Sequence, residues 1–246
     1  MDSAVLLIFL VGTLTAAFVT GLAGFAFGAV AAAVWLHALP PAETTTLIVT
    51  YALLVQGYAV WKLRHALDWE RLWPLVLGSA LGIPAGGALL QLASPSQLRV
   101  TVGVLLILFA LYNLWRPNLP EIKQTGRLAD GTVGLLNGIL GAATGLAGIL
   151  PMIWCGLRGW SRDEQRAVFQ PTAVATFLMI ILWFGGTGTI TADAMRLFAI
   201  GLPALALGTA LGWALYGKLN EAAFRRIVLV LLLISGLFLV LAGVGR

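Results

Sequence analysis

The sequence predicts an all-α polytopic membrane protein with two inverted repeats, each consisting of a glycine-broken helical hairpin followed by three transmembrane helices. Of its 246 residues, 60% are hydrophobic and only 10% are charged, and the mean hydropathy is +0.96. A soluble domain carries about 25% charged residues, so an ordinary soluble fold is excluded. The distribution of the positive charges and a repeated glycine motif predict the hairpins and the inversion.

Eight apolar regions follow one another along the chain. A hydrocarbon core about 30 Å thick needs roughly 20 helical residues to cross it. The first and fifth regions are too long for one straight helix, and glycines interrupt both of them, so each is either one tilted helix or a hairpin of two short helices. The regions are 4–37, 44–61, 73–92, 98–115, 129–157, 167–184, 195–216 and 224–243.

The Lys and Arg residues favour the hairpins, because loops on the cytoplasmic side should hold the excess of positive charge. If every region crosses once, eight basic residues lie on one side and seven on the other. If the first and fifth regions return to the face that they entered, twelve lie on one side and only Arg99, Arg196 and Arg246 on the other. Both termini are then predicted outside. The charges do not distinguish re-entrant hairpins from fully spanning ones.

A pentapeptide repeat supports two related halves. Thr-Gly-Leu-Ala-Gly occurs at 20–24 and again at 144–148, an offset of 124. Because each half has a hairpin and an odd number of crossings, the second half is predicted to be inverted. We therefore predict a single membrane domain over 1–246, with repeat one at 1–116, a cytoplasmic linker at 117–127 and repeat two at 128–246.

Further glycine pairs recur at corresponding places in the two halves. Gly82 and Gly86 match Gly208 and Gly212 at an offset of 126. This small-xxx-small spacing lets helices approach closely in lipid. The spacing predicts a compact helical bundle.

The two glycine motifs are the predicted ligand site. Irregular backbone is tolerated at membrane depth only where protein or a water-filled cavity satisfies it, and paired breaks in inverted halves indicate a transporter's substrate site. Each break would begin a half-helix whose free N–H groups and positive dipole end favour an anion. The alternative is a kink or close crossing without a ligand. The predicted substrate-binding residues are Thr20, Gly21, Gly24, Thr144, Gly145, Gly148 and Gln170.

These residues have separate predicted roles. The glycines would let the backbone approach the anion, and the two threonine hydroxyls would donate to it. Gln170 follows Arg166 by one helical turn, so the pair could present a polar face to the cytoplasmic mouth. The alternative for Arg166 is that its guanidinium simply reaches back to the interface.

The sequence lacks the residue patterns that several other classes of function require. All ten acidic residues lie in loops or at the ends of apolar regions, which disfavours the cation pathways that intramembrane carboxylates mark. No catalytic constellation, metal cluster or cofactor motif stands out, so we predict neither an enzyme nor a cofactor. The basic residues occur in short groups rather than on one face, which argues against nucleic acid. The predicted partners are a small anion and the lipid bilayer, and homo-oligomerisation is left open.

The sequence resembles the sulfite exporter TauE/SafE family of bacterial membrane proteins. The likeness covers essentially the whole chain and is carried by Thr20–Gly24, by Thr144-Gly-Leu-Ala-Gly-Ile-Leu-Pro151, by Gln170 and by the recurring glycine pairs. The sequence departs from the family pattern at Gly24-Phe-Ala-Phe-Gly28, where members of the family commonly have a glycine cluster that ends in proline. The resemblance implies a multi-pass protein of the bacterial plasma membrane that exports sulfite, organic sulfonates or related anions.

Together the residues and the resemblance predict a secondary transporter that works by alternating access. The two half-helix N-termini would surround a small anion near the bilayer centre, and the repeats would rock about it. The alternatives are a passive anion channel and a membrane scaffold subunit without transport.

Overall fold

A computed structural model describes residues 3–23, 26–63, 67–115, 122, 126–216, 218 and 220–245. These residues form ten helices and no strand. The helices are α1 (Ser3–Ala23), α2 (Phe27–Trp35), α3 (Pro41–Leu63), α4 (Trp69–Leu92), α5 (Pro95–Trp115), α6 (Arg127–Thr144), α7 (Ile149–Leu157), α8 (Arg162–Gly186), α9 (Ala192–Leu215) and α10 (Glu221–Val244). The prediction of an all-helical protein is confirmed.

Six of these helices are long and apolar enough to cross a membrane: α1, α4, α5, α8, α9 and α10. The 23-residue α3 carries three consecutive threonines, Thr44–Thr46, as well as Gln56. The chain is therefore a polytopic membrane protein, as its composition predicted.

Polar side chains set several helix boundaries. Ser161 and Glu164 form a capping box at the start of α8, in which each side chain accepts from an otherwise unpaired backbone N–H. The hydroxyl of Thr191 accepts from Ala194 N–H before α9. The side chain of Asn220 accepts from Ala223 N–H before α10. These caps extend the helices beyond the apolar regions of the sequence.

The chain divides into two compact units. Unit 1 comprises Met1–Tyr51, Ala93–Pro117 and Ile190–Arg246, and unit 2 comprises Ala52–Leu92 and Asn118–Thr189. Each unit therefore takes helices from both halves of the sequence. The division into repeats at 1–116 and 128–246 stays a prediction, and most of the predicted linker 117–127 lies outside the described residues.

Glycines bring α4 and α6 together in unit 2. A Cβ built on Gly82 would clash with Leu135 O, and one built on Gly138 would clash with Ser79 O. Gly86 lies in the same way against Ile139 O, so residue numbers rise together along both helices and the helices run parallel. Close approach of backbones is the role that small residues have in membrane helix packing.

Unit 1 contains a parallel pair with the same character. Gly208 of α9 lies against Leu14 O of α1, and Gly212 lies against Phe18 O. Its helices α5 and α10 are antiparallel instead. A Cβ on Gly103 would lie 2.7 Å from Gly236 O, and Ser96 Oγ donates to Gly243 O, so residue numbers fall along α10 as they rise along α5. Each unit thus has a glycine-mediated parallel pair that includes the first helix of a predicted hairpin.

Candidate functional site

In unit 2 the chain reverses between α6 and α7. Helix α6 ends at Thr144, and Gly145 N–H donates to Gly141 O at 2.8 Å. Gly145 has φ 78° and Gly148, the N-cap residue of α7, has φ 97°. Both conformations are left-handed and readily available only to glycine. Helix α7 then folds back along α6, since Trp154 Nε1 donates to Asp130 Oδ1 at 2.7 Å.

A buried amide from α6 holds the start of α7. Asn137 is 0% exposed, and its Oδ1 accepts from Gly148 N–H at 2.8 Å. Its Nδ2 donates to Ser79 Oγ of α4 at 3.1 Å and to Thr176 Oγ1 of α8 at 3.2 Å. The reversal is therefore fixed to three neighbouring helices of unit 2.

The first turn of α7 has two backbone donors without a close acceptor among the described residues. The first N–H groups of any helix lack an intrahelical acceptor. Gly148 N–H is taken by Asn137, and Pro151 has no N–H. The N–H groups of Ile149 and Leu150 have no acceptor among the described residues. Two donors and the positive end of the helix dipole thus remain for an external acceptor.

The corresponding reversal in unit 1 lies between α1 and α2. Helix α2 starts at Phe27 after the N-cap residue Ala26, whose φ is 79°, and no described side chain caps it. Trp35 Nε1 donates to Phe9 O at 3.2 Å, so α2 folds back along α1. The N–H groups of Phe27 and Gly28 have no acceptor among the described residues.

Ala26 is strained, because a left-handed residue with a Cβ costs roughly 1–2 kcal/mol. Ala26→Gly should relieve this strain and raise the midpoint of thermal unfolding in detergent. Added freedom of the unfolded chain offsets part of the gain, so we expect a net stabilisation of about 0.5 kcal/mol. Ala29→Gly, in the interior of α2, is the matched control and should lower the midpoint. A lower midpoint for Ala26→Gly would contradict the left-handed N-cap.

The surroundings of the two reversals differ. In unit 1, Phe27 lies 6.0 Å from Tyr51 and 6.1 Å from Trp35 between ring centroids. The Tyr51 hydroxyl donates to Phe198 O at 2.8 Å. In unit 2, the neighbours are the polar Asn137, Ser79 and Thr176. Aromatic rings thus surround the start of α2, whereas hydrogen-bonding groups surround the start of α7.

Arginine and tryptophan side chains gather at the other end of the α6–α7 hairpin. Arg158 Nη1 lies 3.9 Å from Asp130 Oδ1, and its guanidinium lies 5.3 Å from the Trp160 ring centroid. The Arg71 guanidinium lies 4.5 Å from the same centroid and pairs with Asp68 and Glu164. This cluster ties the ends of α4, α6, α7 and α8 together away from the reversal.

A comparison with protein-family models decides the family. The model of the sulfite exporter TauE/SafE family matches residues 8–239, which is nearly the whole chain. The chain belongs to the TauE/SafE family. The match confirms the resemblance seen in the sequence. No match was found among curated proteins or among solved structures.

The TauE/SafE family is one of sulfite exporters. Membership and the six apolar helices together show a multi-pass membrane protein of an anion transport family. Within the described residues, no group of three or more His, Cys, Asp and Glu side chains is arranged to hold a metal ion.

The two threonines of the repeated motif, Thr20 and Thr144, lie at the reversals, but their hydroxyl protons are already donated to backbone carbonyls. Thr20 Oγ1 donates to Ala16 O at 2.7 Å, and Thr144 Oγ1 donates to Leu140 O at 2.7 Å. A hydroxyl has a single proton to donate. To donate to an anion, as the sequence predicted, each hydroxyl would have to rotate away from its carbonyl.

The four glycines that the sequence predicts to bind substrate differ in their surroundings. Gly145 and Gly148 shape the reversal in unit 2. Gly21 lies within α1 at its crossing with α9, where a Cβ would be 2.8 Å from Thr209 O. Gly24 lies outside the described residues. Of the four glycines, the structure thus places two at the reversal of unit 2: Gly145 as the C-cap residue of α6 and Gly148 as the N-cap residue of α7.

Gln170 lies on α8 beside the reversal of unit 2. A Cβ built on Gly148 would be 2.9 Å from the Cβ of Ala173, and Gln170 is three residues before Ala173 on the same helix. Gln170 is only 9% exposed, and its amide has no hydrogen-bond partner among the described residues. Arg166, one turn earlier, is exposed. The role of Gln170 in substrate binding stays a prediction.

Sequence reasoning did not identify Ser79 and Thr176 as functional residues. They lie on α4 and α8, and only the fold brings both hydroxyls to Asn137. Asn137 is a polar residue inside the fifth apolar region of the sequence. In the structure it caps Gly148 and also joins three helices.

Proposed function

We propose that this protein is a secondary transporter that exports sulfite or small organic sulfonates across the plasma membrane by alternating access. The observation that carries the proposal is that the first N–H groups of α2 and α7 have no acceptor among the described residues. Both half-helices begin after a left-handed N-cap residue, Ala26 or Gly148, and lie in an apolar bundle.

The chemistry of these helix ends suits a sulfur oxyanion. Sulfite and sulfonates present several negatively charged oxygens, and backbone N–H groups at a helix start are donors with a partial positive charge. In unit 2, Ile149 and Leu150 would donate their N–H groups, and Gln170 would donate its side-chain amide. Hydrogen bonds to a charged group contribute about 1.5–3 kcal/mol each, so three are enough for specific binding.

The placement of the carboxylates supports an anion over a cation. Described acidic residues lie before a helix or in its first turn, as with Glu43 in α3, Asp130 in α6 and Asp193 in α9. There they complement the helix dipole. None of them hydrogen-bonds to a described residue of either reversal. An anion at the reversals would therefore meet donors without a neighbouring carboxylate.

Flux measurements on the purified protein in lipid vesicles test this proposal. We expect saturable movement of radiolabelled sulfite and competition by ethanesulfonate, with sulfate and thiosulfate as comparisons. A thermal-shift titration with the same anions should stabilise the protein in proportion to ln(1 + [L]/Kd). Flux without saturation would indicate a passive channel, and neither flux nor stabilisation would indicate a non-transporting scaffold subunit.

Gln170 provides a mutational test of the site. Gln170→Leu should raise the KM for ethanesulfonate roughly tenfold, because one hydrogen bond of about 1.5 kcal/mol to the anion is lost. Gln170→Glu should raise it further, because it adds a negative charge. Gln91→Glu is the matched control: Gln91 is an exposed residue of the same unit, bonded to Thr189 Oγ1 at 3.1 Å. Equal KM values for Gln170→Glu and Gln91→Glu would remove Gln170 from the site.

A further inference from the structure

We propose that Asn137 is a positioning residue for the anion: it holds the start of α7 in place with a neutral cap while leaving the next two N–H groups free. The inference rests on the proposed function and adds a residue and a charge requirement to it. Asn137 acts through the backbone of Gly148, which it binds directly.

The hydrogen bonds of Asn137 suit an amide and no other kind of small side chain. It accepts from Gly148 N–H through Oδ1 and donates twice through Nδ2, to Ser79 Oγ and Thr176 Oγ1. An amide has one carbonyl oxygen and two N–H donors. A carboxylate of the same size has no proton to donate, and a hydroxyl has only one.

The two hydroxyls fix which way the amide points. Ser79 Oγ donates its proton to Gly134 O at 3.1 Å, and Thr176 Oγ1 donates its proton to Thr172 O at 2.7 Å. Both hydroxyls can then only accept from Asn137. Its NH2 group must face them, and its oxygen must face Gly148 N–H. The surrounding network thus determines the amide orientation.

This arrangement differs from an ordinary N-cap in what it leaves unpaired. A Ser, Thr or Asp N-cap accepts from the N–H of the second or third residue of its own helix. Here the N-cap residue is glycine, and the cap comes from another helix and binds the N–H of Gly148 itself. The N–H groups of Ile149 and Leu150 remain for a ligand.

Unit 1 has no such cap among its described residues. At the offset of 124, the position of Asn137 corresponds to Thr13 (137 − 124), whose hydroxyl donates to Phe9 O at 2.7 Å within α1. No described side chain hydrogen-bonds to Ala26, the N-cap residue of α2. A side chain therefore holds the start of α7, whereas no described side chain holds the start of α2.

Asn137→Asp tests the need for a neutral cap. The carboxylate still accepts from Gly148 N–H but brings a negative charge beside the proposed anion. Titratable groups with described side chains lie in the end turns of the four helices that meet here, and none contacts the amide of Asn137. They are Glu70 and Arg71, Arg127 and Asp130, Cys155 and Arg158, and Glu164 and Arg166.

The probe is ethanesulfonate, which stays ionised, and the readout is its apparent Kd by thermal shift between pH 5 and pH 9. We expect the affinity of Asn137→Asp to be at least tenfold lower than that of wild type at pH 9 and to recover as the carboxyl is protonated at acid pH. Asn220→Asp, at the exposed N-cap of α10, makes the same charge change and should match wild type throughout. An Asn137→Asp affinity that does not vary with pH would overturn the charge requirement.

Amide hydrogen exchange across 145–152 tests the positioning role without any anion. Exchange at Gly148 should accelerate at least tenfold in Asn137→Leu. Ser79→Ala removes one partner of the Asn137 side chain and should accelerate exchange by a smaller factor. This second variant provides the test if Asn137→Leu does not fold. Unchanged exchange at Gly148 in a folded variant would overturn the positioning role. If wild type binds no sulfonate but the exchange responds as expected, the proposed function fails and the positioning role stands.

Discussion

Gly138→Ala is expected to destabilise unit 2 by about 3 kcal/mol. The new Cβ would lie against the backbone of α4, 2.8 Å from both the carbonyl carbon and the Cα of Ser79. A side chain could rotate away, but backbone in a parallel helix pair can only move apart. That movement would open the contacts of the neighbouring Gly82 and Gly134 as well. Thermal unfolding in detergent, with the yield of monodisperse protein, measures the effect.

Gly185→Ala is the matched control for this prediction. It makes the same change near the end of α8, where a Cβ would meet nothing within 4 Å. Alanine is favoured over glycine in a helix by roughly 1 kcal/mol, so the control should be neutral or slightly stabilising. A Gly138→Ala protein as stable as the control would show that α4 and α6 do not approach as closely as described.

The sequence was sufficient to predict the helices and both reversals. The first and fifth apolar regions break after Ala23 and after Thr144, at the glycine motifs. The helix ends were predicted less well, because the capping residues are polar and lie outside the apolar regions that hydropathy identifies. The sixth region was predicted at 167–184, but α8 spans Arg162–Gly186 because Ser161 and Glu164 cap it.

The pairing of helices could not be predicted in the same way. The spacing of Gly82 and Gly86 indicates a surface for close packing, but it carries no information on the partner. In the structure the partner of this surface is α6, whose own glycines, Gly134 and Gly138, face α4 in return. Helix pairing depends on the shape of both surfaces and on the path of the chain between them.

Only part of the site could be predicted from the sequence, because residue type alone does not reveal the role of a glycine. A glycine that shapes a ligand site and a glycine at a helix crossing are identical in sequence. Gly148 has φ 97° and begins a half-helix, whereas Gly21 lies against α9. Only the backbone conformation separates the two roles. The donors at the start of α7 are likewise invisible as residue types, since any residue but proline supplies an N–H.

Ile149→Pro is expected to weaken binding of sulfite and sulfonates roughly 10- to 100-fold with little effect on folding. Proline removes the N–H of Ile149, which has no acceptor among the described residues, and it fits the first position of a helix. The preceding residue, Gly148, has no Cβ to clash with the ring, so only its N–H lies near the proline Cδ. A lost hydrogen bond to a charged group costs about 1.5–3 kcal/mol, and each 1.4 kcal/mol is tenfold in affinity.

The measurement for Ile149→Pro is the apparent Kd for ethanesulfonate by thermal shift, together with the KM for sulfite flux in vesicles. Ala192→Pro places the same substitution at the first residue of α9, after the extended Thr191, and should leave both constants at their wild-type values. The unfolding midpoint without ligand should be similar in all three proteins, which separates lost binding from lost folding. Wild-type affinity in a folded Ile149→Pro protein would mean that the anion does not bind at this backbone group, since no side chain could replace the missing donor.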